Sequence, residues 1–327
     1  MGRALVSLRG YNDKPVLLLV NFDTCEVERT MTPDIANLGH VPRSKVGFSG
    51  IAMLDGRRAA IALWDRIVLI DVDSQAVLEE YTDRRFSDLH SIHAEGGSRL
   101  WISNTNLDGV YTIDDTGVQA VWHAWECAAL GETKAYVDRD YRTMVKEDIP
   151  YHTFHVNSVF ADDTHIVCSF LGQRRRPGRL ESLWRRAFPE RRWGPIFAGG
   201  YLVLDRSTRA LCKVVRCEGL HDSKRFKDGS IWSTQYFGRS LVRLDLSSLE
   251  IRTLRLDATP PTRGGYLTRG LIEVDDGFWI GHTVQRGWTD PNAAARLRKY
   301  SRAGRWTGEE IVLAGYVGVY DIVEWNR

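Results

Sequence analysis

HSIHAEGGSRLW, residues 90–101, and HDSKRFKDGSIW, residues 221–232, decide how this chain is read. In each, a short strand opens on His, a Gly-containing turn follows, and a second strand carries Trp eleven residues after that His. Each pair of strands leads to a third that ends in Asp: VYTID at residues 110–114 and LVRLD at 241–245. Val, Ile, Leu, Tyr and Trp in short runs bounded by Gly, Asp and Asn indicate strands and tight turns, not helices.

The phrase recurs along the chain. A third copy is HVNSVFADDTHIVCSF, residues 155–170, closing at YLVLD (201–205) after an insertion. Others are TRGLIEVDDGFWIGH (268–282) and FSGIAMLDGRRAAIALW (48–64), the latter closing at IVLID (67–71). That makes five copies. The C-terminus supplies a lone first strand, VYDIVEW (319–325), and the N-terminus supplies the later strands ALVSL (4–8) and PVLLLVNFD (15–23). The two ends complete a sixth unit, and a ring closed in this way has no exposed sheet edge. The expectation is an all-β chain: a six-bladed β-propeller, residues 1–327 forming a single domain with a basic insertion at 172–198. Two stacked sandwiches do not explain a chain that starts and stops in mid-repeat.

The 327 residues are 43% hydrophobic and 26% charged, a globular composition. No run approaches the roughly 18 apolar residues that span a bilayer, and charges interrupt the N-terminal residues, so no transmembrane segment and a cytoplasmic location are expected. Five Cys without a CxxC pair exclude a disulfide framework and a Cys-based zinc site. A net charge of +2 excludes nucleic-acid binding by bulk electrostatics. Eight Arg against two Glu nevertheless fall within residues 173–193, where Leu180, Leu183, Trp184, Ala187 and Phe188 recur at helical spacing. This segment is read as a lid over the channel mouth, or else as a protein contact. Phosphate-binding Gly loops, a GxSxG elbow and a dinucleotide fingerprint are absent.

Inner strands of a propeller line its axis, so residues at their starts converge. Position one of the repeat holds His90, His155 and His221 in three consecutive blades. Three neutral imidazoles meeting at one point suit a divalent transition metal (Zn, Mn or Fe) and leave coordination positions open. His93 is expected on the opposite face of its strand, and His152, after Pro150, in the loop leading to His155. Asn104, Gln235 and His282, three residues beyond the Trp register, are placed on the same face as the trio, and Asp88, Asn157 and Asp222 near it as outer partners of the imidazoles. Arg269, with Arg263 and Tyr266 before it, is placed to grip an anionic substrate. Tyr320 and Asp321 are candidates for acid–base work. Trp101, Trp232 and Trp279 are expected to pack between blades.

At the level of this blade phrase the chain resembles the six-bladed propellers of the gluconolactonase, senescence-marker and strictosidine-synthase group. It is also similar to uncharacterised bacterial propellers with blade openings such as His155-Val-Asn157-Ser-Val and His221-Asp-Ser223. Members of the lactonase group hold an axial divalent ion with Glu, Asn and Asp. This chain offers His at the corresponding entrances, so neither calcium nor lactone hydrolysis carries over. Metal-dependent lyases of acidic sugars and iron oxygenases also use His-lined propellers, as analogies of fold alone. The expected function is a metal-dependent lyase or hydrolase acting on a small anionic or polyhydroxylated substrate, such as a saccharide, at the top of the channel. A non-catalytic propeller that binds a protein or glycan is the alternative, and a His-ligated Fe(II) oxygenase the third reading.

Overall fold

A computed structural model describes residues 2–8, 14–41, 45–131, 133–144, 146, 148–172, 198–235, 239–257, 266–284 and 293–325. Among these, twenty-four strands, β1 to β24 in chain order, form six antiparallel four-stranded sheets. The chain is a six-bladed propeller. The inner strands are β24 (Val319–Glu324), β4 (Ile51–Met53), β8 (Leu89–Glu95), β12 (Val156–Ala161), β16 (Leu220–Arg225) and β20 (Tyr266–Val274), for blades 1 to 6 in turn. Blade 1 joins the two ends: β24 pairs with β1 (Arg3–Leu8), from Ala4↔Glu324 to Leu8↔Val319. The Trp325 indole then donates to the Gly56 carbonyl of blade 2.

Residue chemistry follows position in the blade. Every residue of β12, VNSVFA, is buried, whereas the outermost strand of blade 2, β7 (Val77–Thr82, VLEEYT), is largely exposed and carries two Glu. Charge on an outer strand discourages edge-to-edge pairing. In blades 2 to 5 an Asp at the end of the third strand folds the next turn. Asp205 Oδ1 accepts the Thr208 N–H, and Asp245 Oδ1 accepts those of Ser247 and Ser248. These bonds hold both carboxyls down to about 2.

The Trp register packs between blades, as read from the sequence. Trp279 stacks on Phe22 of blade 1 with ring centroids 4.6 Å apart, and Trp232 lies 5.4 Å from Phe278 of blade 6. Trp101 packs with Val159 and Ala161 of blade 4. Among the described residues no helix is long and apolar enough to cross a membrane. The basic insertion lies outside the described residues, which omit 173–197.

Candidate metal centre

A β-bulge interrupts the inner strand beside each axial His. The register slips between Leu89 and Ile92 in β8, between Val156 and Ser158 in β12, and between His221 and Lys224 in β16. A bulge adds one residue to one strand and re-aims the side chains around it. It also strips backbone groups of ladder partners, and serine hydroxyls replace them. Ser91 donates its N–H to Ser103 Oγ at 3.0 Å, and the Val159 N–H reaches Ser91 Oγ from the next blade. Ser158 pairs with Ser169 in the same register, and Ser223 with Ser233 one place nearer the Trp register. The three His-bearing blades share this hydroxyl belt, a signal that the sequence carried in plain view.

The bulges bring His90, His155 and His221 together. One nitrogen from each lies within 4.8 Å of the others. Ring centroids are 5.3 Å apart for His90–His155, 5.5 Å for His90–His221 and 6.2 Å for His155–His221. His155 does not share the repeat position of the other two. The Leu171 N–H donates to the His155 carbonyl as the Thr105 N–H does to that of Asp88, while Val156, opposite Phe170, takes the place of Leu89 and Leu220. His155 is thus two residues early, at the place of Asp88, and a left-handed backbone, φ 59°, accompanies its turn onto the axis. The Asp108 carboxylate holds that turn by accepting the N–H groups of Thr153, Phe154 and Val156.

Hydrogen bonds fix the tautomers. His90 Nδ1 lies 2.9 Å from the Asp88 carbonyl and His221 Nδ1 lies 2.7 Å from Asp222 Oδ1; both oxygens only accept, so both Nδ1 atoms carry the proton. His152 Nδ1 donates to the Thr105 carbonyl at 3.0 Å, which makes its Nε2 an acceptor for His155 Nδ1–H at 3.5 Å. All three imidazoles therefore present the Nε2 lone pair. Burial, reinforced by Arg269, lowers the His221 pKa; burial, with the neighbouring His152, His90 and His221, takes His155 well below the usual range. Those two rings stay neutral, as ligands must. Asp222 is held at about 2 despite its burial, by His221 and Arg269 beside it and by the Gly270 N–H at Oδ2.

Other expected site residues divide. Tyr320 approaches the trio, its ring 6.5 Å from His90, and the Arg269 guanidinium lies 4.0 Å over that ring. Asp321 lines the axial cavity with His90 and Asp222 but is engaged by the Ile51 and Ile322 N–H groups and Lys224 Nζ; burial raises its pKa against the pull of Lys224. Asn104 belongs to the blade framework, accepting the Ser87 N–H and donating to the Arg85 carbonyl. His282 also stays inside its blade, bonded to Tyr300 Oη at 3.1 Å. Gln235 is buried where blades 5 and 6 meet, its carbonyl accepting Thr268 Oγ1. Asn157 bonds the Leu220 carbonyl and Ser169, so His152, not Asn157, is the outer partner of His155. Arg263 lies outside the described residues. His93 does not point away from the axial side: the extra residue between Leu89 and Ile92 lets His90 and His93 line one cavity.

No family model and no curated protein matches the sequence. Similar solved structures include the Myceliophteria thermophila Cps50 (Swd1) β-propeller domain (TM-score 0.48, 9% identity, 95% of this chain and 81% of that one). Kuenenia stuttgartiensis hydrazine synthase is another (TM-score 0.49, 11% identity, 88% of this chain and 70% of that one). Neither carries weight at that score. A protein of unknown function from Bacteroides caccae is similar to the chain at a TM-score of 0.57 and 11% identity, covering 98% of both, which supports the propeller fold and nothing beyond it.

Proposed function

We propose that the protein is a metal-dependent enzyme whose axial His90, His155 and His221 hold a divalent transition ion, Zn, Mn or Fe. The observation that carries this reading is the set of three converging imidazoles, each with Nδ1–H held by an acceptor, so that Nε2 is the ligand atom. Metal-bound His needs that outer partner to fix its ring and tautomer. Tetrahedral ligands at 2.0–2.1 Å stand about 3.4 Å apart, a separation that small ring rotations reach from the 4.8 Å limit observed.

Three uncharged ligands leave the ion's double charge uncompensated and a position open, so it supplies Lewis acidity and an acidified bound water, suited to lyase or hydrolase chemistry on a small anionic or polyhydroxylated substrate. The chain's own residues do the rest. Asp222, the Asp88 carbonyl and the Thr105–His152 pair hold the imidazoles. Arg269, above Tyr320, supplies a fixed positive charge beside the trio, and the Tyr320 hydroxyl is the group placed to exchange a proton there. Five free thiols fit a reducing compartment, the cytoplasm. The likeness to the gluconolactonase group reaches the blade phrase and stops short of its Glu, Asn and Asp ligands.

Metal content of untagged protein, set beside the variant with His90→Ala, His155→Ala and His221→Ala together, tests the reading. Near one equivalent of Zn, Mn or Fe, lost in the variant, is expected. Metal-free protein that takes up none on reconstitution would refute it and leave the protein- or glycan-binding propeller.

A further inference from the structure

A cavity of about 540 Å³ runs along the axis from the trio toward the face where the inner strands end. It is walled by β24, β4, β8, β12 and β16, with His90 and Asp222 at its inner end and Glu95, Asp163 and Arg225 toward its mouth. Its volume is in the range of small-ligand sites. Arg269 and Tyr320 do not line it. The sequence reading put the substrate at the other end of the channel.

The charges of the cavity wall are unequally engaged. Glu95 is bound by Arg206 and the Trp101 indole, and Asp222 by His221 and the Gly270 N–H. Asp162 accepts the N–H groups of Thr164 and His165, and Asp321 accepts those of Ile51 and Ile322. Lys224 reaches across the channel from blade 5 to Asp321 of blade 1, Nζ to Oδ1 2.7 Å. An ammonium has three N–H donors. One is directed at Asp321, and Lys224 itself lines the cavity. Asp163 stands exposed on the wall.

Resting on the metal reading above, we infer that this cavity is the substrate route and that it takes a small dicarboxylate. One carboxylate meets the uncompensated charge of the ion; the other accepts a hydrogen bond from Lys224. Lys224 is a binding residue, and the ligand enters from the face where the inner strands end.

The test is a visible-absorption titration of the cobalt(II)-loaded protein with malonate, and with acetate, which lacks the second carboxylate. Malonate is expected to shift the cobalt spectrum, and K224M to weaken malonate at least about 10-fold, the loss of a charge-assisted hydrogen bond, with cobalt affinity and acetate response kept. D163K, a change on an exposed side chain, is expected to tighten malonate a few-fold at low salt, the gain fading as ionic strength rises. K224M binding malonate as the wild type does, or D163K leaving it unchanged, overturns the inference while the metal reading stands. Should K224M fail to fold, the D163K arm decides alone. Wild-type protein that takes up no cobalt overturns both.

Discussion

Asp222→Asn is the most informative single change at the axis. The two carboxylate oxygens serve two donors, His221 Nδ1–H at 2.7 Å and the Gly270 N–H at 3.0 Å. Asn has the same shape and suits the left-handed backbone there, φ 48°, so the main chain is not disturbed. It has one acceptor, however, for two donors. If Oδ1 keeps the Gly270 N–H, the amide nitrogen faces His221 and drives the ring to the tautomer with the proton on Nε2, which removes the ligand lone pair. If Oδ1 keeps His221, the buried Gly270 N–H loses its partner, at about 1–3 kcal/mol of stability. The tautomer shift is expected to lower metal affinity about 10- to 100-fold, or about 1.4–2.7 kcal/mol, the range for loss of an outer partner. Chelator competition for zinc reads the affinity, and denaturant melts of the metal-free protein read the stability. A variant that keeps wild-type zinc affinity, with no loss of stability, would refute the reasoning.

His152→Ala should lower zinc affinity about 10-fold, and His152→Gln, whose amide oxygen accepts from His155 Nδ1, should restore most of it; equal affinities in both variants would remove His152 from the site. His282 tests the acid limb of stability. Burial, with Arg298 and Arg296 nearby, holds it at about 3, so below the unfolded value of about 6.5 the unfolded chain takes a proton that the native state refuses, and stability falls between those two pH values. From pH 6.5 to 4.5 the wild type should lose about 2 kcal/mol more than His282→Gln, and parallel curves would contradict the assignment. Ending the chain after Gly318 removes β24 and bares the edge of β1. Cooperative thermal unfolding should be lost, and a melt within about 5 °C of the full chain would show that closure is dispensable.

The six blades were legible because each burial rule left its own mark: Trp between sheets, Asp at turns, and half a repeat at either end of the chain. The trio was legible for the same reason, since the starts of inner strands converge whatever their detail. The details were lost at the bulges. Period-2 reasoning sent His93 away from the axis and set His155 in the register of His90, whereas one inserted residue and a φ of 59° decide both. His282 and Asn104 lie at the right height but inside their blades, a distinction that needs the third strand and the preceding loop. Lys224 gave no signal because its meaning comes from Asp321, 97 positions away in the chain and across the axis. The three serine pairs beneath the His residues were available to the same search that found the His residues.

X-ray absorption at the zinc edge of the metal-loaded protein tests the central claim most directly. The account predicts a first shell of light atoms at about 2.0–2.1 Å with the outer scattering of three imidazoles and one further oxygen or nitrogen. A shell containing sulfur, or oxygen ligands without imidazole scattering, would contradict it.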